Sequence, residues 1–220
     1  MTPSNQESLS RRLPITKHDA YATRYDAEVQ AYDCHIADVL FGLCYEFIRP
    51  GQRVLDAGIG TGLSAQLFAK AGLAIYGMDF APAMLDICRA KGLAAELAQH
   101  DLGQIPWPYP SSQFEHLVCC GVFHFISELD SIFGEAARVL STGGVFAFTT
   151  RQPLLVELDR QPYERHIAGE FEIFSHAPAH VEALLAQHAF RRLKLQRCFV
   201  GEDVFLLWVV RSDLRTHERP

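Results

Sequence analysis

The chain has 220 residues, 49% of them hydrophobic, enough for one full core and within the usual span of a single domain, about 50 to 250 residues. A formal charge of −6 and a pI near 5.9 argue against a surface built to grip nucleic-acid phosphates and favour small or weakly charged partners. No apolar run approaches a membrane span, the polar start Met1 to Ser8 lacks a signal-peptide core, and six cysteines without a C-x-x-C pair read as reduced thiols, so the expected location is the cytoplasm.

Residues 1–15 are polar, contain Pro3 and Pro14, and are expected to form a flexible tail. From His18 the spacing predicts helix. Tyr21, Tyr25 and Val29 share one face, and a second segment, His35 to Ile48, aligns Val39, Leu43 and Phe47 before Pro50-Gly51 stops it. Residues 18–49 thus form a helical cap ahead of the first strand.

Val54-Leu55-Asp56-Ala57 reads as a buried strand that breaks into Gly58, Gly60 and Gly62. Without a Cβ these positions can take positive φ and let a small molecule lie against bare amides. Leu63, Leu67, Phe68 and Ala71 then fall on one helical face, so first-turn N–H groups point at whatever occupies the loop, and an anionic group belongs there. Two cofactor classes use such a turn. A dinucleotide fingerprint fails from Gly58, because Leu63 stands where a third glycine or alanine should be, and passes from Gly60 with Gly62 and Ala65. That register leaves Asp56 as a carboxylate inside a strand, costly unless something binds it. A ligand amino group, reached through water, would do so.

Ala74 to Met78 is a second strand ending at Asp79; Pro82 opens a helix and Gly92 closes it. Leu93 to Ala98 is the third strand, ended by Gln99-His100-Asp101-Leu102. The run Pro106-Trp107-Pro108-Tyr109-Pro110 cannot be regular helix or inner strand and reads as a loop with an aromatic rim. Phe114 to Cys120 is the fourth strand, and Gly121 to Ile126 crosses its end toward a helix opened by Ser127 and Glu128. Ile132, Phe133, Ala136 and Leu140 give that helix its apolar face, and Ser141 to Gly144 turns it into a strand over Val145 to Thr150.

Arg151 to Ser175 shows no dependable period and is expected to close over a substrate, with Arg151, Glu157 and His166 as candidate contacts. His176 and His180 are four apart, but Pro178 lies between them with no Cys or carboxylate partner nearby, so no metal site is expected. A helix over Pro178 to Phe190 precedes two strands, Leu193 to Val200 and Val204 to Val210, joined as an antiparallel hairpin by Gly201-Glu202-Asp203. The last strand is too apolar for a sheet edge.

Asp-x-Gly-x-Gly-x-Gly closing a Val-Leu strand resembles motif I of the class I S-adenosylmethionine-dependent methyltransferases. The resemblance runs from about Tyr21 to Arg211 and rests on five stretches in order: Val54 to Gly62, Tyr76 to Met84, Gln99 to Leu102, Phe114 to Ile126, and Arg138 to Thr150. It implies a Rossmann-like α/β fold: a seven-stranded mixed sheet with a reversed last strand and helices on both faces. The implied layout is a single domain with a cofactor-binding core over 50–150, a substrate lid over 151–175, and a C-terminal helix and hairpin over 176–211.

The resemblance also implies S-adenosylmethionine as cofactor, S-adenosylhomocysteine as product and a small-molecule methyl acceptor. Asp56 and the glycines 58, 60 and 62 would hold the cofactor's amino-acid end. Asp79 would accept the ribose hydroxyls, or merely cap the following helix. Phe80 and Met84 would flank the adenine, whose amino group and ring would meet Asp101 and the Leu102 amide. Cys120 and Gly121 would act through main chain. His124, Tyr21 and Tyr25 are the catalytic candidates, since an imidazole titrates near neutral pH and a tyrosine can face a sulfonium. The fourth strand lacks the Asn/Asp-Pro-Pro-Tyr/Phe signature of enzymes that methylate amino groups in nucleic acids and some proteins, which demotes those substrates. Two other readings stay open: a nicotinamide-dependent oxidoreductase, and a non-catalytic protein that binds the adenosyl cofactor.

Overall fold

A computed structural model of the chain describes residues 22–153, 161–169 and 171–213. The N-terminal cap comprises α1 (22–31) and α2 (Ile36–Cys44), the latter running into a 3-10 turn over Tyr45–Phe47. Then β1 (Arg53–Ala57), α3 (Ala65–Lys70), β2 (Ala74–Asp79), α4 (Pro82–Lys91), β3 (Ala94–Gln99) and β4 (Phe114–Cys119) alternate. A 3-10 turn over Phe123–Phe125 leads to α5 (Asp130–Val139) and β5 (Leu140–Arg151). The remainder is β6 (Tyr163–Ala168), β7 (Phe171–His176), α6 (Pro178–Gln187), β8 (Phe190–Val200) and β9 (Asp203–Ser212).

Strands β3, β2, β1, β4 and β5 lie side by side in that order, and every pairing among them is parallel. The reversed strand β9 pairs with β5 from Val145↔Arg211 to Arg151↔Phe205, and β8 pairs antiparallel to β9 outside it. The expected seven strands therefore run β3-β2-β1-β4-β5-β9-β8, within a sheet of nine in which β7 and β6 branch from β5. Its apolar last strand is inner, and β8, polar and half-exposed along one face, takes the edge.

Alternation along the strands splits the core between two faces. Leu55, Leu117, Phe146, Phe148 and Trp208 point to the side covered by α5 and α6. Val54, Val118, Val145, Ala147 and Leu207 point to the side covered by α2, α3 and α4. Phe148 and Trp208 stack with ring centroids 5.9 Å apart, and the indole N–H donates to Thr150 Oγ1 at 2.9 Å. Among the described residues no helix is long and apolar enough to cross a membrane.

Three expectations change. The segment 151–175, in which no dependable period is visible, contains a second hairpin, β6–β7, turned at Gly169 and joined to β5 where Arg151 meets Ser175. Its outer strand is half-exposed and carries a diagonal Arg165–Glu172 ion pair at 3.0 Å, so the apolar alternation that marks a buried strand is absent. Trp107 and Tyr109, expected on a rim, are 2% and 4% exposed. Their main chain is pinned by Glu135, which accepts the Trp107 amide at 2.6 Å, and by Arg138, which donates to the Tyr109 carbonyl at 2.8 Å. Finally α5 begins at Asp130, later than expected, because the 3-10 turn takes up the chain before it.

Candidate active site

The site forms where the parallel strands end. At the close of β1 the amides of Gly58 and Ile59 both donate to the Met78 carbonyl, at 2.8 and 3.0 Å, which draws the turn against β2. Gly58 has φ +82, and a Cβ there would lie 2.5 Å from Val122 Cγ2, so backbone conformation and packing both demand glycine. Gly60, at φ +53, would point a Cβ into open space, leaving its main chain exposed to a ligand. Gly62 faces away: its Cβ would meet Cys88 Sγ at 3.1 Å on α4.

Asp79 ends β2 directly opposite. Its Oδ2 accepts the Gly60 amide and its Oδ1 the Ala81 amide, each at 2.9 Å. Ala81, not Asp79, is the N-cap of α4, and that helix has no side-chain cap. The carboxylate thus ties the glycine turn to the approach of α4.

Asp56 lies beneath the turn and is 1% exposed. Ser64 donates its hydroxyl to Oδ2 at 2.5 Å, while Oδ1 has no hydrogen-bond partner among the described residues. Burial pushes this carboxyl up to about 7; the Ser64 bond opposes the shift and the charge of Asp79 adds to it. A buried acceptor without a donor carries a desolvation penalty of about 1–3 kcal/mol or more. A donor or cation arriving from a ligand would remove it.

Above these groups opens a cavity of about 940 Å³. Gly58 and Gly60 line its floor, and Asp79, Phe80 and Met84 one side. Asp101 and Leu102, after β3, continue that side; Asp101 Oδ1 accepts the Gly103 amide at 2.8 Å, and the Leu102 carbonyl accepts the Trp107 indole at 3.1 Å. Cys120 and Gly121 line it after β4, where the Gly121 amide donates to Thr149 Oγ1 at 2.8 Å. Tyr25 of α1 lines the top, and Tyr21 lies outside the described residues.

His124 is not brought to this wall. A 3-10 turn repeats every three residues, so Val122 and Phe125 face the cavity while the imidazole between them turns to Phe205, with centroids 5.6 Å apart and rings nearly perpendicular. Arg151 is likewise committed elsewhere: its guanidinium engages His166 and Asp203, and neither Arg151 nor His166 lines the cavity. Glu157 lies outside the described residues. His176 is fully buried, its Nε2 within 3.1 Å of the Phe123 carbonyl and 3.0 Å of the Ile126 carbonyl, which fastens β7 to the 3-10 turn.

Two contributions were not anticipated. Thr61, inside the glycine turn, donates to Asp26 of α1 at 2.5 Å, and Lys91 reaches the same carboxylate at 2.6 Å. Asp26 stands one residue after Tyr25 on a helix already expected to cover the cavity, which was the available signal. The hairpin supplies Phe171, Glu172 and Phe174 to the wall, and no periodicity announced it.

A family description called Methyltransferase domain matches residues 55–148. The chain is 29% identical over 150 residues to a malonyl-[acyl-carrier protein] O-methyltransferase of Serratia marcescens, covering 68% of this chain and 56% of that one. It is 30% identical over 159 residues to a demethylmenaquinone methyltransferase of Thermus thermophilus, covering 64% of this chain and 71% of that one. Across the first of the curated relatives it matches, the chain spans about half of their length. Among solved structures, 1,6-didemethyltoxoflavin-N1-methyltransferase of Burkholderia thailandensis superposes with a TM-score of 0.70 at 15% identity, over 96% of this chain and 91% of that one.

Proposed function

Since the chain belongs to the class I S-adenosylmethionine-dependent methyltransferases, we propose that it moves a methyl group from that cofactor to a small-molecule acceptor held in the cavity at the carboxyl edge of the sheet. The observation that carries this reading is the paired placement of two acids about one glycine turn. Asp79 is bonded to Gly60, and Asp56 lies buried beneath the cavity lining with one oxygen unpartnered among the described residues. A dinucleotide would bring a pyrophosphate to that turn, against the Asp79 carboxylate and above the buried Asp56, whose ionisation a nearby anion would further oppose. An adenosyl cofactor with an ammonium group and no phosphate suits the same groups.

In this reading Asp79 takes the ribose hydroxyls beside its bonds to the Gly60 and Ala81 amides. Phe80 and Met84 flank the adenine, and Asp101 and Leu102 meet its polar edge. Asp56 and the main chain at Cys120 and Gly121 receive the amino-acid end, with Gly58 and Gly60 as the bare floor. When bound, the cofactor supplies a methyl group already activated on a sulfonium. The chain's own task is then to hold the acceptor in line and exclude water, and Val122 and Phe125 provide an apolar wall for that purpose. Tyr25 is the candidate for contact near the transferred group, through its ring face or hydroxyl. The relatives are named for different acceptors, which supports methyl transfer without choosing the acceptor. All six thiols are free, which supports a reducing, cytoplasmic setting.

Calorimetric titration with S-adenosylhomocysteine and, separately, with NAD tests the proposal. One site for the former and no heat with the latter are expected, and Asp79→Ala should abolish measurable binding while the fold persists. Binding of NAD alone by folded protein would reject it. Turnover of an acceptor distinguishes an enzyme from a protein that only binds the cofactor.

A further inference from the structure

Resting on the methyltransferase reading above, we infer that the acceptor is a planar aromatic molecule that is neutral or cationic, held against a wall of phenylalanine rings contributed by the β6–β7 hairpin and the 3-10 turn after β4.

The cavity has room for a second molecule. Ligand pockets run from about 300 to 1,000 Å³, and at about 940 Å³ this one lies near the upper limit. The residues assigned to the cofactor occupy the glycine turn and the ends of β2, β3 and β4. What remains is the space between α1 and α2 on one side and the hairpin on the other.

Rings dominate the hairpin side. Phe125 and Phe171 stand with centroids 5.7 Å apart at 60°. Phe174, on the same strand as Phe171, is held from behind by Tyr163, edge-on at 5.2 Å. Val29 and Ile36 face them from the helices. His176, anchored to the carbonyls of Phe123 and Ile126, ties this strand to the turn that carries Phe125. A rigid wall of ring faces and edges favours a flat guest, because offset and edge-on aromatic contacts add about 0.5–1.5 kcal/mol beyond the area they bury.

Charge sets the second half of the specificity. Asp33, Asp38, Asp79, Asp101 and Glu172 line the cavity, and among the described residues no lysine or arginine does. Asp38 has His35 within 3.7 Å, and Glu172 shares its charge with Arg165 at 3.0 Å. Arg151, at the end of β5, is bound to Asp203. An anionic acceptor would be desolvated here among carboxylates with, among the described lining residues, no lysine or arginine to pair it, an arrangement proteins avoid. A cation would meet carboxylates and ring faces together.

The test uses the full chain saturated with S-adenosylhomocysteine and three flat probes of one size: 2-naphthol, N-methylquinolinium and 2-naphthoate. The neutral and cationic probes are expected to bind at least about tenfold more tightly than the anion. Phe171→Ala and the gentler Phe171→Leu should each weaken 2-naphthol several-fold and leave the affinity for S-adenosylhomocysteine unchanged. Equal or tighter binding of 2-naphthoate, no binding of any probe to the loaded protein, or indifference of 2-naphthol to both variants would overturn the inference. Failure of S-adenosylhomocysteine itself to bind would instead remove the reading on which it rests.

Discussion

Asp26 on α1 accepts the Thr61 hydroxyl at 2.5 Å, so the helix that covers the cavity is fastened to the glycine turn itself. Lys91, the last residue of α4, holds the other oxygen of the same carboxylate at 2.6 Å. Thr61 is buried, whereas the Lys91–Asp26 pair is part-exposed, and exposed ion pairs add only about 0–1 kcal/mol to stability. Asp26→Ala breaks that weak pair but also strands the buried Thr61 hydroxyl, so a moderate fall in melting temperature is expected. It should also loosen α1, and dissociation of S-adenosylhomocysteine should accelerate about tenfold or more, since one charge-assisted bond is worth about 1.5–3 kcal/mol and each 1.4 kcal/mol is tenfold. Stopped-flow displacement measures this, and an unchanged off-rate would show that the bond does not gate ligand exchange.

Asp56 makes cofactor binding depend on pH. Its carboxyl is raised to about 7 in the ligand-free chain by burial, and an incoming ammonium would favour the ionised form. Affinity for S-adenosylhomocysteine should then rise between pH 6 and pH 8, with a proton released on binding at pH 6.5. Stability runs the other way. A folded-state value above the unfolded one means that the carboxyl stabilises fully at acid pH, below about 4, and loses this contribution as pH rises through 7. Asp56→Asn keeps an acceptor for Ser64 and removes the charge. It should melt progressively higher than the parent as pH is raised from 6 to 8, and should lose the pH dependence of binding. Calorimetry in two buffers of different ionisation enthalpy counts the proton directly.

The buried imidazoles contribute with opposite sign. Burial lowers His176 below the usual histidine value and lowers His116 to about 4. Each is neutral in the folded chain above pH 6.5. Their contribution is complete there and is lost as pH falls from 6.5 toward their lowered values, because the unfolded chain takes up protons first. In the Asp56→Asn background, which removes the opposing carboxyl, urea unfolding between pH 7 and pH 5 should show falling stability. His176→Gln should flatten that slope and also lower acceptor affinity by loosening the hairpin from Phe123 and Ile126. A slope identical in parent and variant would assign the acid sensitivity elsewhere.

What could be read in the sequence follows how local each feature is. The glycine turn, the strand-end acids Asp56 and Asp79, and the reversed β9 are written in short runs whose conformation depends on adjacent residues. The outward turn of His124 depends on a 3-10 rather than an α spacing, a difference of less than one residue per turn that side-chain pattern does not record. The hairpin was hidden because β6 buries little and its charges pair across strands. Trp107 and Tyr109 look like surface punctuation between prolines. Only a glutamate 28 residues downstream of Trp107 makes their burial affordable.

That glutamate should matter to stability and to cofactor binding alike. Glu135 accepts the Trp107 amide and two nitrogens of Arg138, at 2.8 Å for Nε and 2.6 Å for Nη2, and Arg138 in turn donates to the Trp107 and Tyr109 carbonyls. The Arg138 contacts hold Glu135 below the usual carboxylate range. Glu135→Ala would strand a mostly buried guanidinium and a buried amide together, and breaking one side of such a pair costs about 3–5 kcal/mol when fully buried. With both side chains partly reached by solvent, a loss of about 2–3 kcal/mol is expected in urea unfolding. The loop so released begins at Asp101 and Leu102 on the cavity wall, and Trp107 is bonded to the Leu102 carbonyl. S-adenosylhomocysteine affinity should therefore fall as well, whereas Glu115→Ala, which breaks the more exposed Arg53 pair at the far end of β4, should leave it unchanged. Equal affinity in the two variants would detach the adenine wall from this network.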